Sequence, residues 1–140
     1  VGDLLADGFG EKLASTPDTR AIAMTEGVTD YLDHAEKRRA WTAIASLLSR
    51  LGGGRYLLEV HPRDHIDQFG MAARLMFDVL RRISGRDLRN QLCVNADEAI
   101  AMLEDCGFSR ARVLPDAELD AAAEAPAPAQ RAFVLIEAQV

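Results

Sequence analysis

The sequence predicts an α/β domain with a mostly parallel sheet and one antiparallel strand near the C-terminus. Short β-prone apolar runs alternate with helical periodicities, and that alternation implies right-handed crossovers between parallel strands. The 140 residues suffice for one domain with one core. The hydrophobic fraction of 49% and charged fraction of 27% are those of an ordinary globular chain.

Residues 3–15 fit a short, glycine-interrupted helix, and Ser15 to Thr19 are turn residues. Ala21 to Met24 reads as a buried strand ended by Glu26-Gly27. Trp41, Ile44, Leu48 and Leu51 then recur at spacings of three and four, the signature of one helical face, with Lys37, Arg38, Arg39 and Arg50 expected on the solvent side. Gly52-Gly53-Gly54 ends that helix as a cap and turn. It is no phosphate loop, because it precedes a strand and lacks the following Lys and Ser/Thr.

Arg55 to His61 is the second strand, stopped by Pro62. Gln68 to Ser84 reads as a helix with Phe69, Ala73, Met76, Leu80 and Ile83 on its apolar stripe, and Gly85 ends it. Asn95 and Glu98 have capping-box spacing before Ile100 and Leu103, and this helix ends at Gly107. Ser109 to Leu114 is the third strand. Asp116 to Gln130 is an alanine- and proline-rich connection with room for one helical turn. Ala132 to Ala138 is the last, strongly β-prone strand. With no clear helix between them, the last two strands suit a hairpin.

The net charge of -6 without a basic block argues against a nucleic-acid surface. No apolar run approaches a membrane span, and no basic region followed by an apolar core opens the chain as a signal peptide would. Cys93 and Cys106 fit neither a metal site nor a disulfide framework, which makes a reduced, cytoplasmic setting the expectation. Val1 in place of Met leads to the expectation of a piece of something longer.

The most informative stretch is Met24-Thr25-Glu26-Gly27-Val28-Thr29-Asp30-Tyr31-Leu32, an apolar strand that runs into an acid, a glycine and a tyrosine. In an open parallel sheet, ligands sit at the carboxyl ends of strands. A carboxylate there suits an ammonium group; the structural alternative is an acid that caps the turn or pairs with an arginine. Gly27 allows close backbone approach or is simply a turn glycine. Tyr31 can line a pocket with its hydroxyl, or bury its ring and bond to backbone. His61 and His65 flank the end of the second strand, where a histidine could serve as general base or be a plain loop residue. Asp64 and Asp67 join them, but no ligand spacing supports a metal. Trp41 and the Phe69/Met76 stripe are expected in the core.

The same stretch resembles the fourth-strand motif of the leucine carboxyl methyltransferase-like family of class I S-adenosylmethionine-dependent methyltransferases, which includes polyketide O-methyltransferases. Its members carry an apolar strand, then Glu-Gly, then Tyr-Leu after a short spacer. Ala99 to Phe108, ending in Gly107-Phe108, is similar to the helix before the sixth strand of such enzymes, and Ile83 to Leu88 is loosely similar to a connecting segment. The resemblance implies that residues 1–140 form a single, partial domain: the C-terminal half of a Rossmann-like methyltransferase sheet, lacking the half with the glycine-rich cofactor loop. It implies that Glu26 holds the methionine ammonium of S-adenosylmethionine, with Gly27 beside it, while the catalytic residue stays open, Tyr31 and His61 being candidates. The expected activity is methyl transfer to a small-molecule or carboxylate oxygen by the intact enzyme, the isolated chain being inactive. A carboxylate acceptor needs no strong base, which agrees with the lack of a visible catalytic dyad.

The alternative is a non-catalytic α/β module that pairs with a complementary N-terminal half, or forms a homodimer, through the exposed edge of Ala21 to Met24. A nucleotide- or phosphate-binding domain ranks last, since no phosphate loop is present.

Overall fold

The structure, a computed structural model, describes residues 20–122 and 131–140. The helix expected within 3–15, the Ser15–Thr19 turn and Pro126 and Pro128 lie outside the described residues. Four strands form one sheet: β1 (Ala21–Thr25), β2 (Gly54–Val60), β3 (Arg110–Val113) and β4 (Val134–Gln139), in the order β1-β2-β4-β3. β1 and β2 are parallel, with Ala21 opposite Gly54 and Thr25 opposite Leu58. β4 inserts between β2 and β3 and runs antiparallel to both. Three strands thus point one way and one the other, as expected. The near-continuous apolar run Phe133 to Ile136 suits the interior position that β4 occupies.

Helix α1 (His34–Arg50) links β1 to β2. Its N-terminus is fixed by a reciprocal cap the sequence reading passed over: Asp33 Oδ1 accepts from the Glu36 amide at 2.7 Å, and Glu36 Oε2 accepts from the Asp33 amide at 2.9 Å. At its other end Gly52 and Gly53 have φ of 89° and 102°, as a cap requires. Gly54 is needed for a different reason: a Cβ there would lie 2.2 Å from the Ala21 carbonyl oxygen.

The helix expected over 68–84 is α3 (Gly70–Ser84), and a short helix the sequence did not announce, α2 (Arg63–Asp67), precedes it. Gly70, at φ 59°, turns the chain between them. Helix α4 (Ala96–Asp105) begins at Asn95, whose Oδ1 accepts from the Glu98 amide at 2.9 Å; Glu98 returns its bond to the Val94 amide instead of closing the box on Asn95. The connection before β4 holds a seven-residue helix, α5 (Asp116–Ala122), longer than the single turn expected.

The core lies between one sheet face and helices α1 and α4. Tyr56, Leu58, Val60, Ile136 and Ala138 face Trp41, Ile44, Leu48, Met102 and Leu103, and Tyr56 stacks on Phe108 at 5.7 Å between ring centroids. The opposite face carries Ile22 and Met24, 72% and 71% exposed, beside Arg55, Arg110 and Arg112. Glu137, in the middle of that face, is buried and bonded to Arg55 at 2.8 Å and Arg112 at 3.0 Å.

Three expectations about burial are corrected. Ala21 to Met24 is not a buried strand, because Ile22 and Met24 alternate onto the bare face of the sheet. Lys37 is not on the solvent side; it is 1% exposed, because its register with Trp41 and Ile44 puts it on the inner face of α1. Phe69 and Met76 are not core, being 38% and 47% exposed. Of the α3 stripe, Ala73 is buried against Ile66 and Leu92, and Ile83 projects into solvent. The small cluster beneath α3 covers only part of its apolar circumference.

Candidate active site

The carboxyl ends of β1 and β2 lie side by side, and their following residues build one site. Tyr56, inside β2, bonds through its hydroxyl to Thr25 Oγ1 at 2.7 Å, anchoring the end of β1. Burial pushes the Tyr56 phenol up to about 12, against the opposing influence of its Thr25 hydrogen bond. Beyond Thr25, Glu26 is exposed and has no hydrogen bond or ion pair with any described residue. Neither structural alternative for it, a turn cap or an arginine pair, occurs among the described residues. Gly27 has φ 61°, and a Cβ placed on it would meet nothing within 4 Å, so the backbone there faces open space.

A short 3-10 turn, Thr29–Tyr31, follows. It places Asp30 against His61, the first residue after β2. Asp30 Oδ2 accepts from the His61 backbone amide at 3.1 Å and lies 2.8 Å from His61 Nδ1. The other carboxylate oxygen lies 3.7 Å from Lys37 Nζ, which donates to the Gln91 carbonyl. His61 Nε2 is 3.3 Å from Glu59 Oε1. The Asp30 hydrogen bond is the main cause that raises the His61 pKa, with burial opposing it and Glu59 adding to the rise. The ring of Phe133 lies 5.9 Å from the imidazole.

Gly27, Asp30, Tyr31 and His61 line one side of a cavity of about 220 Å³. Ile66, Met76, Phe77, Leu80, Leu88 and Leu92 form its apolar remainder. Tyr31 is exposed at the rim, so its ring is not buried as the structural alternative had it. The structure therefore gathers Gly27, Tyr31 and His61, with Glu26 adjacent in the chain. His65, Asp64 and Asp67 do not join them: His65 is on α2, and Asp67 pairs with Arg89 at 2.7 Å. Among the described residues no group of three or more His, Cys, Asp or Glu side chains could hold a metal ion. No helix among them is long and apolar enough to cross a membrane.

Asp30 and Lys37 are the site residues that sequence reasoning missed. Asp30 stood inside the motif, and its partner is 31 residues away, across a crossover helix. Lys37 did leave a signal: it precedes Trp41 by four and Ile44 by seven, an apolar-face position for a charged residue.

Comparison with known proteins defines the fold class. No family model matches the chain, and no curated protein matches it. Among solved structures, it is similar to a protein of Nostoc punctiforme PCC 73102 named provisionally as an O-methyltransferase, at 14% identity and a TM-score of 0.61. That match covers 100% of this chain and 35% of the other. A protein of Bordetella parapertussis named provisionally as an exported protein matches at 13% identity and a TM-score of 0.53, over 99% of this chain and 42% of that one. The chain is thus an α/β unit with a methyltransferase-like fold, and it spans less than half the length of either structure it resembles.

Proposed function

We propose that this chain is the C-terminal part of a cytoplasmic S-adenosylmethionine-dependent O-methyltransferase acting on a small molecule. The observation that carries this reading is the pair Glu26-Gly27: a carboxylate without a partner among the described residues and an open glycine backbone at the carboxyl end of β1, beside a cavity, in a methyltransferase-like sheet. These residues fit the methionine end of the cofactor, with Glu26 accepting charge-assisted hydrogen bonds from its ammonium and Gly27 leaving room for its backbone-like atoms. The cofactor, when bound, supplies an electrophilic methyl group on a sulfonium. Thr25 and Tyr56 keep Glu26 at the strand end, and Met76, Phe77 and Leu80 of α3 give the acceptor an apolar wall.

The test is calorimetry with S-adenosylmethionine on the polypeptide extended by the segment encoded upstream of Val1. Loss of charged hydrogen bonds worth about 1.5–3 kcal/mol makes Glu26→Ala weaken binding roughly ten- to hundredfold. Unchanged affinity sinks the role of Glu26, and an extended chain that binds no cofactor sinks the reading itself. The 140-residue chain alone binds weakly or not at all; micromolar affinity would contradict its being partial.

A second reading rests on β1, which lies at the end of the described sheet with Ile22 and Met24 bare. A non-catalytic module would use that strand to pair with a complementary half or a second copy. Light scattering separates the two: a stable dimer abolished by Ile22→Lys with Met24→Lys, and no cofactor binding in any form, favours the module.

A further inference from the structure

We propose that His61 is the general base of this site, positioned by Asp30, and that the acceptor is a hydroxyl on a compact apolar body, not a carboxylate. The inference rests on the methyltransferase reading and deepens it by choosing between two acceptor classes.

The chemistry of the cavity wall makes the choice. A carboxylate acceptor needs no base but needs a cation to hold it. The described residues lining the cavity include no Lys or Arg, and they do include Asp30. Lys37, the nearest buried cation, is already committed to Asp30 and the Gln91 carbonyl. A carboxylate would therefore enter a largely apolar space beside fixed negative charge, at a large desolvation cost. A hydroxyl makes the opposite demands: little desolvation, and a base within reach.

His61 meets that demand through its anchoring. One oxygen of Asp30 receives both the His61 amide and Nδ1, so the backbone and the ring are held by the same carboxylate. With Nδ1–H donated to Asp30, the neutral imidazole carries its electron pair on Nε2, the nitrogen that lies 3.3 Å from Glu59 Oε1, and the acceptor hydroxyl takes the place of that contact. Lys37 balances the charge of Asp30 from the other side, 3.7 Å from Oδ1. The charged groups that face His61 are Asp30 from the turn after β1 and Glu59 from β2, with Lys37 of α1 behind Asp30; Phe133 contributes an uncharged ring.

The acceptor proton passes to Nε2 while its bonding pair stays on oxygen. That oxygen forms the new bond to the methyl carbon as the carbon–sulfur bond breaks with its pair left on sulfur. The resulting imidazolium lies between two carboxylates, and His61, 28% exposed, releases the proton to water. A cavity of about 220 Å³ is larger than the roughly 150 Å³ that accommodates benzene, so a substituted single ring fits it. A small phenol is the acceptor class that combines this size, an apolar body and a removable proton.

The experiment joins NMR titration of the three histidines to kinetics of the cofactor-binding, extended protein with 4-ethylphenol and 4-ethylbenzoate. In Asp30→Asn the His61 titration moves to lower pH, and the rising limb of the kcat/KM profile moves with it. His61→Asn lowers kcat for the phenol by roughly 10²–10⁴-fold, the range for lost general-base catalysis, while calorimetric cofactor affinity stays unchanged. The benzoate is the poorer substrate. Retention of rate by His61→Asn, preference for the benzoate, or a His61 titration indifferent to Asp30 overturns the proposal. Should Asp30→Asn fail to fold, Glu59→Gln gives the same coupled downward shift of titration and pH limb, and its absence overturns the proposal equally. Cofactor binding by the wild-type extended chain together with an undiminished rate in His61→Asn refutes His61 alone; no cofactor binding by the wild-type extended chain refutes the methyltransferase reading.

Discussion

Replacing Gly54 by Ala tests how tightly the strand that carries Glu26 is held. The new methyl carbon would stand 2.2 Å from the Ala21 carbonyl oxygen, 3.1 Å from its carbonyl carbon and 3.0 Å from Leu48 Cδ2. Ordinary contact begins near 3.4 Å, so the oxygen is about 1.2 Å too close. Leu48 is buried in the core and cannot yield. The movable partner is β1, an edge strand held on its described side only by β2. Forcing a methyl group into such a space costs about 1–3 kcal/mol. Displacing β1 also breaks the Ala21 amide bond to the Gly53 carbonyl at 3.3 Å, worth about 0.5–1.5 kcal/mol. A total loss of about 2–4 kcal/mol is expected from urea denaturation, a large share of a typical domain's stability. Hydrogen exchange should accelerate at the β1 amides above all. Gly53→Ala is the control: its φ of 102° strains any side chain, yet the nearest atom is 3.8 Å away, so β1 keeps its protection. A Gly54→Ala protein within about 0.5 kcal/mol of wild type, with β1 amides still protected, would refute this account of the strand junction.

Two further outcomes follow from the same junction. Tyr56→Phe removes the hydroxyl bonded to Thr25 and should lower stability by about 0.5–1.5 kcal/mol in denaturant titration, while in the wild type ultraviolet titration should show no Tyr56 phenolate until close to pH 12. A Tyr56 phenolate appearing near pH 10 would contradict its burial. His61 has a folded-state pKa above its ordinary value, so its contribution to stability is fully present below the unfolded pKa and is lost as pH rises through the folded one. The stability difference between wild type and His61→Gln should therefore shrink from mildly acidic towards alkaline pH, and a difference that grows over that range would reverse the assignment.

Much of this architecture is legible in the chain because its causes are local. The spacing of Trp41, Ile44 and Leu48 gave α1 its buried face, and Gly52-Gly53 ended it through the φ values a cap needs. Asn95 started α4 through its own side chain. Where a segment is short or its cover is not local, the chain is less legible. The five residues of α2 are too few to show a helical period, and the α3 stripe looked like core because periodicity reports an apolar face without reporting what covers it.

By itself, the sequence determined the alternation of strands and helices, the strand-end motif Glu26-Gly27 and the candidacy of Tyr31 and His61, since each depends on residues close together in the chain. The tertiary structure alone decided that β4 enters between β2 and β3, that Lys37 turns inward, and that Asp30 meets His61. Strand order depends on pairing between segments far apart in sequence, and no local propensity encodes it. The dyad exists because β1 and β2 are parallel neighbours whose carboxyl ends coincide, so a turn after one strand delivers its carboxylate to the residue that ends the other.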